Sequence, residues 1–433
     1  MMTSARLLNF CCIILIVTSF SFVSEEARVS TEVTVTGAHI AGRIIPTFAV
    51  IVCCLIAIPK RQLMVFREMG RPPFVLWNWY ALTATISGFA ISGFASGLQP
   101  LWSAWKCFEV VVAMFWGASV AVEYRSMPDS KKLTEMFSVV YWLCFIFCVV
   151  SVVVAFNRGI GLYLSGQERF QLDWPLINPL TLSVMAAFAL IGGLLSLRRI
   201  SLIWRFAMSI PPLGALLLAR SRTGLLALLL AAAYAIVCSR LAKSFRVFMF
   251  LLITAMLALM IASPDLRKQF RMSDISEISK GSGRIEDAQG RSAWGECLRL
   301  IKESPLVGYG YINLPRFVYH YKFTVGDNGA LQALVAGGII GAVPAILYVF
   351  FLIWRWIYFA SQVSVTPNLQ ERVLFGYGVG ATCVAVTKSL TTNSLSVSDF
   401  AIVLFLLGVI ACQTVGREIS AAKRAARQDA QDS

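Results

Sequence analysis

The chain has 433 residues, of which 58% are hydrophobic and 14% charged, and its mean hydropathy is +0.72. A water-soluble domain cannot hide that much apolar surface, whereas lipid solvates it; closed β-barrels are excluded too, because their strands alternate polar and apolar residues and these runs do not. The formal net charge of +15 fits either Lys and Arg gathered on cytoplasmic loops or affinity for anionic lipids and phosphorylated substrates, and only placement separates the two.

Apolar runs of about 16–22 residues recur, the length that crosses a hydrocarbon core of roughly 30 Å. They predict an all-α, polytopic integral membrane protein of about twelve transmembrane helices, at 7–23, 44–59, 74–94, 102–122, 135–156, 176–197, 203–219, 223–239, 247–262, 328–354, 373–393 and 398–413. Arg6 ahead of the first run resembles the start of a signal peptide, but the run is long and "SFVSEEA" is a poor cleavage site, so it is read as a span. Placing both termini in the cytoplasm puts 20 of the 38 Lys and Arg on inner loops and tails, counting Arg205 at the inner end of 203–219, and 10 of those facing outward fall in one long segment, 263–327. The chain is therefore expected to be one integral membrane domain, 1–433, with 263–327 as a long periplasmic loop before helix ten. The cysteines sit mostly inside apolar runs without metal-ligand spacing and read as small apolar fillers. With only His39 and His320, a histidine-based metal site is not expected.

The residues that could carry chemistry gather at outward-facing ends. Lys106 and Glu109 open the fourth span three residues apart, where an i, i+3 ion pair would neutralise both. Arg220, Ser221 and Arg222 lie in a tight turn between the seventh and eighth spans. Two arginines this close to hydrocarbon either snorkel to headgroups or form a guanidinium fork for phosphate. From Arg291 to about Lys302 the pattern predicts an amphipathic helix stopped at Ser304-Pro305. Arg291, Trp294, Leu298 and Ile301 fall on one stripe, so Arg291 is expected to point with the apolar residues. Asp327 and Asn328 stand at the mouth of the tenth span, where an Asp also serves as an N-cap. Behind them Gly329, Ala333, Gly337, Gly341 and Ala345 recur every four residues, a face smooth enough for close helix packing. Lys388 lies near the outer end of the eleventh span; Arg158, Arg169, His320 and Lys322 add weaker candidates. Together they describe a basic outer vestibule with two acids, suited to an anionic lipid-linked substrate.

This order of motifs resembles the O-antigen ligases and Wzy-type polysaccharide polymerases. The resemblance rests on Ser221-Arg222 in "SRTGLLALL", Arg291 three residues before Trp294, "PLVGYG" at 305–310, and Asp327-Asn328 followed by nine residues and Gly338-Ile339-Ile340-Gly341. At position 327 the family pattern has His where this chain has Asp, and His320 lies seven residues upstream. The resemblance implies a periplasm-facing glycosyltransferase of the bacterial inner membrane, acting on an undecaprenyl-diphosphate-linked sugar donor and a glycan acceptor without metal, nucleotide or other cofactor. It implies Arg222, Arg291 and Asp327 as catalytic residues. The arginines would hold the diphosphate, and the residue at 327 would orient or deprotonate the acceptor hydroxyl. Arg220, Ser221, Asn328, Lys106, Glu109, Lys388 and His320 would bind substrate.

Polymerisation of lipid-linked repeat units of an exopolysaccharide or O-antigen is the expected activity, in company with a flippase and a chain-length regulator. Transfer of a finished glycan to lipid A core or protein would use the same residues. A flippase of the same substrate would carry charges deep in several spans and a repeated architecture, whereas here the charges gather on one side and the halves show no evident similarity.

Overall fold

A computed structural model describes residues 4–18, 40–92, 99–125, 130–160, 163, 170, 172–173, 176–177, 179–196, 202–219, 221, 223–230, 293–310, 329–363, 369–391 and 400–432. In chain order the helices are α1 (Ser4–Thr18), α2 (Ile45–Ala57), α3 (Gln62–Met69), α4 (Phe74–Ser92), α5 (Gln99–Arg125), α6 (Ser130–Asn157), α7 (Pro179–Ser196), α8 (Leu202–Ala219), α9 (223–230), α10 (Ala293–Glu303), α11 (Gly329–Val363), α12 (Leu369–Thr391) and α13 (Phe400–Asp432). A π-helical turn at Ile40–Ile44 leads into α2, whose Pro46 occupies a first-turn position where no intrahelical donor is needed. Just before α7, β1 (Leu172–Asp173) and β2 (Leu176–Ile177) form an antiparallel ladder that pairs Leu172 with Ile177 and Asp173 with Leu176.

The predicted spans that fall on described residues are helical there except at two ends, Ile58 and Pro59 of the second and Leu176–Ile177 of the sixth, which form β2; the one at 247–262 lies outside the described residues. Among the described residues, four helical stretches are long and apolar enough to cross a membrane: Ala104–Arg125, Lys131–Asn157, Gly329–Ala360 and Phe400–Arg424. Shorter apolar helices include Ser4–Thr18, Gly42–Ala57, Pro179–Gly192, Ala207–Ala219 and Val373–Ser389. Three features depart from the predicted plan. The short helix α3 stands between the second and third predicted spans, α13 continues past 413 to Asp432, and α11 is broken at Gly338.

Burial separates the centre from the rim. The stretches Phe400–Arg424 and Ala104–Arg125 are 83% and 72% buried, against 33% for Lys131–Asn157. Thus α13 and α5 form the middle of the bundle, while α6 turns Trp142, Ile146 and Phe156 outward, as lipid contact requires. Small residues set the closest approaches. A Cβ at Gly378 would meet Trp356 and Ala411, and one at Gly192 would meet Tyr141 and Tyr377. Buried aromatics fill the remaining space: Tyr377 stacks on Phe137 at 5.3 Å, and the Trp116 indole donates to the Leu8 carbonyl at 3.1 Å. No disulfide forms among the described cysteines, and most of them are buried, as apolar fillers are.

Candidate functional site

The break in α11 organises one end of the bundle. In an unbroken helix the Ile339 and Ile340 N–H groups would donate to Val335 and Ala336. Here Gly338 turns the backbone to φ 60°, ψ −169°, and the segment Pro305–Gly310 enters the gap. Tyr309 and Gly310 donate their N–H groups to the carbonyls of Val335 and Ala336 at 2.7 and 2.8 Å. Ile339 and Ile340 donate to the carbonyls of Pro305 and Leu306 at 2.9 and 3.1 Å. Two helical bonds are thereby exchanged for four, so the Val335 and Ala336 carbonyls and the Ile339 and Ile340 N–H groups all keep a partner.

The glycines make this exchange possible. Gly308, Gly310 and Gly338 have positive φ (69°, 96° and 60°), a region costly to residues with a Cβ. Space forbids one as well. A Cβ at Gly338 would run into the Leu306 carbonyl, and one at Gly310 would stand 2.5 Å from the Gly88 Cα of α4. Ser87 closes the joint by donating its hydroxyl to the Val307 carbonyl at 2.5 Å, and the Trp79 indole donates to the Ile340 carbonyl at 3.1 Å. Gly337 and Gly341 face Tyr80 and Thr83 of α4, which is the close packing expected of the small-residue face. Packing alone had been expected of this Gly-rich stretch; Gly338 instead supplies the break.

Helix α10 leads into that segment and lies on α11, with Cys297 and Leu300 buried against Val335 and flanked by Ile301, Tyr309 and Leu331. The predicted stripe is corrected here. Leu298 is exposed, so the buried face runs through Cys297, Leu300 and Ile301 rather than through Leu298. The i, i+3/i+4 pattern admits both faces, and the position of α11 chooses between them.

Two buried cation sites accompany the junction. Glu109 of α5 receives Lys106 Nζ at 2.7 Å, the Trp105 indole N–H at 2.9 Å and Arg43 at 3.4 Å. The Lys106 and Glu109 side chains are only 7% and 4% exposed, so the predicted neutralising pair is made within the bundle, and Arg43 is an addition that sequence spacing does not reveal. Lys388 of α12 is buried and donates to the Thr181 hydroxyl at the start of α7, at 3.2 Å. The start of α9 closes onto the same helix end, because a Cβ at Gly224 would meet the Ser183 Cβ and carbonyl at 2.6 and 2.7 Å.

Two buried polar atoms at this end have no hydrogen-bond partner among the described residues: Ser221 Oγ and Gln332 Oε1. The Ser221 carbonyl accepts from Leu225 at 3.3 Å and so starts α9. Gln332 lies three residues before Val335, on the side of α11 that receives α10. An orphaned buried amide oxygen costs about 1–3 kcal/mol, which marks it as a place for an incoming donor. Sequence reading missed Gln332; the available signal was its position four residues after Asn328, one helical turn further in. Arg222, Arg291, Asp327, Arg220, Asn328 and His320 lie outside the described residues.

Over residues 207–346 the chain matches the O-antigen ligase family.

The match bears out the likeness read from the motifs. Within it fall Ser221, α9, α10, the Pro305–Gly310 segment, the break at Gly338 and Gln332. Glu109, Lys106, Lys388 and Thr181 lie outside the O-antigen ligase match but border the same end of the bundle. No curated protein matches the chain. The O-antigen ligase match and the apolar helices support membrane glycan processing of the ligase or polymerase type.

Proposed function

We propose that the chain is a glycosyltransferase of the bacterial inner membrane that polymerises undecaprenyl-diphosphate-linked repeat units of an exopolysaccharide or O-antigen at the periplasmic face. The observation that carries this reading is the insertion of Pro305–Gly310 into the break of α11. It ties the helix that follows Arg291 to the helix that follows Asp327, so motif pieces far apart in sequence belong to one structural unit. In this reading α11 starts on the periplasmic side of twelve spans, and both termini are cytoplasmic.

Arg222 and Arg291 hold the donor's diphosphate through bidentate guanidinium contacts. The acceptor hydroxyl oxygen attacks the anomeric carbon of the donor sugar, and Asp327 takes its proton. The bond from that carbon to the diphosphate breaks, and the electron pair leaves on the diphosphate, where the two arginines stabilise the growing charge. Gln332 accepts a hydrogen bond from a substrate hydroxyl, and Asn328 and Ser221 line the same vestibule. Lys106, Glu109 and Lys388 set its electrostatic background.

A second reading, transfer of a completed glycan to lipid A core or protein, is favoured by the description of the matched family as O-antigen ligase. Asp in place of the ligase-type His at position 327 favours the polymerase. The glycan profile of a deletion strain separates them. Accumulated single repeats mean polymerase, full-length polymer stranded on its carrier means ligase, and product trapped on the inner leaflet means flippase. Arg222→Ala and Arg291→Ala, each at normal protein level, should abolish extension; long-chain product in both would refute the diphosphate role.

A further inference from the structure

At the end of the bundle opposite to the break lies a cavity of about 530 Å³ into which five arginines converge: Arg71, Arg125, Arg355, Arg417 and Arg424. No acidic side chain lines it among the described residues. Glu68 is buried and paired with Arg71 at 3.0 Å and Arg125 at 2.5 Å. Glu418, next to Arg417 in the chain, also acts on Arg417, more strongly than Glu68 does. Two carboxylates near five guanidinium groups leave net positive charge at the cavity.

Several contacts hold these like charges together. Arg417 donates to the Arg125 carbonyl at 3.3 Å and to the Thr414 hydroxyl at 3.3 Å. The Arg355 guanidinium sits over the rings of Phe351 and Phe359, at 5.7 and 5.1 Å from their centres. Opposite it, Gly416 of α13 lets Phe359 and Arg355 pack close: a Cβ there would stand 2.7 Å from the Phe359 ring and 3.1 Å from Arg355 Nη2. A bias of basic residues toward one membrane face predicts cations spread over that face, each free to reach its own water or headgroup. It does not predict guanidinium groups from three helices and a loop lining one space.

We propose that this cavity binds a phosphate-bearing anion with at least two negative charges, held by bidentate arginine contacts on the side of the bundle away from the glycan site. A cavity of this size suits a diphosphate or a paired-phosphate headgroup better than a single small ion. The chemistry is the same whether the phosphates belong to a lipid or to a soluble molecule.

The test uses the full-length protein in phosphatidylcholine nanodiscs and follows thermal unfolding, since a ligand that binds only the folded state raises the melting temperature. One arm adds a lipid with two phosphates in its headgroup to the discs; the other adds inorganic pyrophosphate to the buffer. The wild type should melt higher in at least one arm. A rise with lipid alone assigns a headgroup, and a rise with pyrophosphate assigns a soluble ligand. Arg355→Gln and Arg424→Gln should each lose most of the rise, whereas Lys423→Gln, on the same helix as Arg424 but not lining the cavity, should keep it. Should Arg355→Gln melt abnormally in plain discs, Arg424→Gln carries the comparison, because Arg424 is exposed. No rise in either arm, a rise undiminished in the variants, or an equal loss in Lys423→Gln would overturn the proposal.

Discussion

Tyr309 and Val335 are joined main chain to main chain, N–H to carbonyl at 2.7 Å, at the point where α11 gives up its own bond to Val335. The contact shows what the Pro-Leu-x-Gly-x-Gly and Gly-x-x-Gly motifs do physically. One supplies a turn that can enter a helix, and the other supplies a helix that can be entered. Their separation in sequence is bridged by backbone hydrogen bonds rather than by side-chain chemistry.

Gly338→Ala should therefore be among the most damaging single-methyl changes in the chain. It forces a Cβ into a positive-φ position, costing about 1–3 kcal/mol, and also into the Leu306 carbonyl. Faster hydrogen exchange at residues 305–310 together with lost glycan extension is the expected result. Gly341→Ala, in contact with the Thr83 side chain, should loosen α4 instead and leave exchange at 305–310 near normal.

The Glu109 cluster should respond asymmetrically. Glu109→Gln leaves Lys106 and Arg43 without their anion, and breaking a buried pair in this way costs about 3–5 kcal/mol. Lys106→Met leaves Glu109 still bonded to Arg43 and Trp105 and should cost clearly less. Thermal unfolding in detergent measures both. If Lys106→Met kept wild-type stability yet abolished glycan transfer, the pair would belong to the chemistry rather than to the scaffold.

Gln332→Leu should separate stability from function. Removing an amide whose Oε1 is buried with no partner among the described residues should leave the melting temperature unchanged or raised, because that oxygen no longer has to be desolvated. Glycan extension should fall tenfold or more, about the 1.4 kcal/mol of one hydrogen bond to substrate. Unchanged extension would remove Gln332 from the site.

At position 327, Asp→Asn should reduce activity far more than Asp→Glu, since only Glu retains a carboxylate able to accept a proton. Product length on gels reports the difference. Near-normal product from both variants would leave Asp327 with its helix-capping role alone.

The helical plan was legible because each apolar run states its own length and needs no partner to be recognised. The Lys106–Glu109 pair was legible for the same reason, as both residues sit on one turn of one helix. Arg43, Thr181 and Ser87 were not, because each meets its partner across elements remote in sequence. The face of α10 was misassigned at Leu298 because helical periodicity offers two stripes and only the docking of Cys297 and Leu300 on Val335 decides between them. The break at Gly338 was hidden in a four-residue small-side-chain repeat that reads equally well as an uninterrupted packing face. Gln332 carried no charge to draw notice, and its lack of a partner becomes visible only once its burial is known.

The four crossed amide bonds at Gly338 also restrict how the vestibule can work. Withdrawing residues 305–310 would break four backbone hydrogen bonds at once and leave the Val335 and Ala336 carbonyls and the Ile339 and Ile340 N–H groups without these partners. That segment behaves as a rivet and not as a flap. If the substrate is the lipid-linked glycan proposed above, any opening that admits it is expected in elements other than this joint.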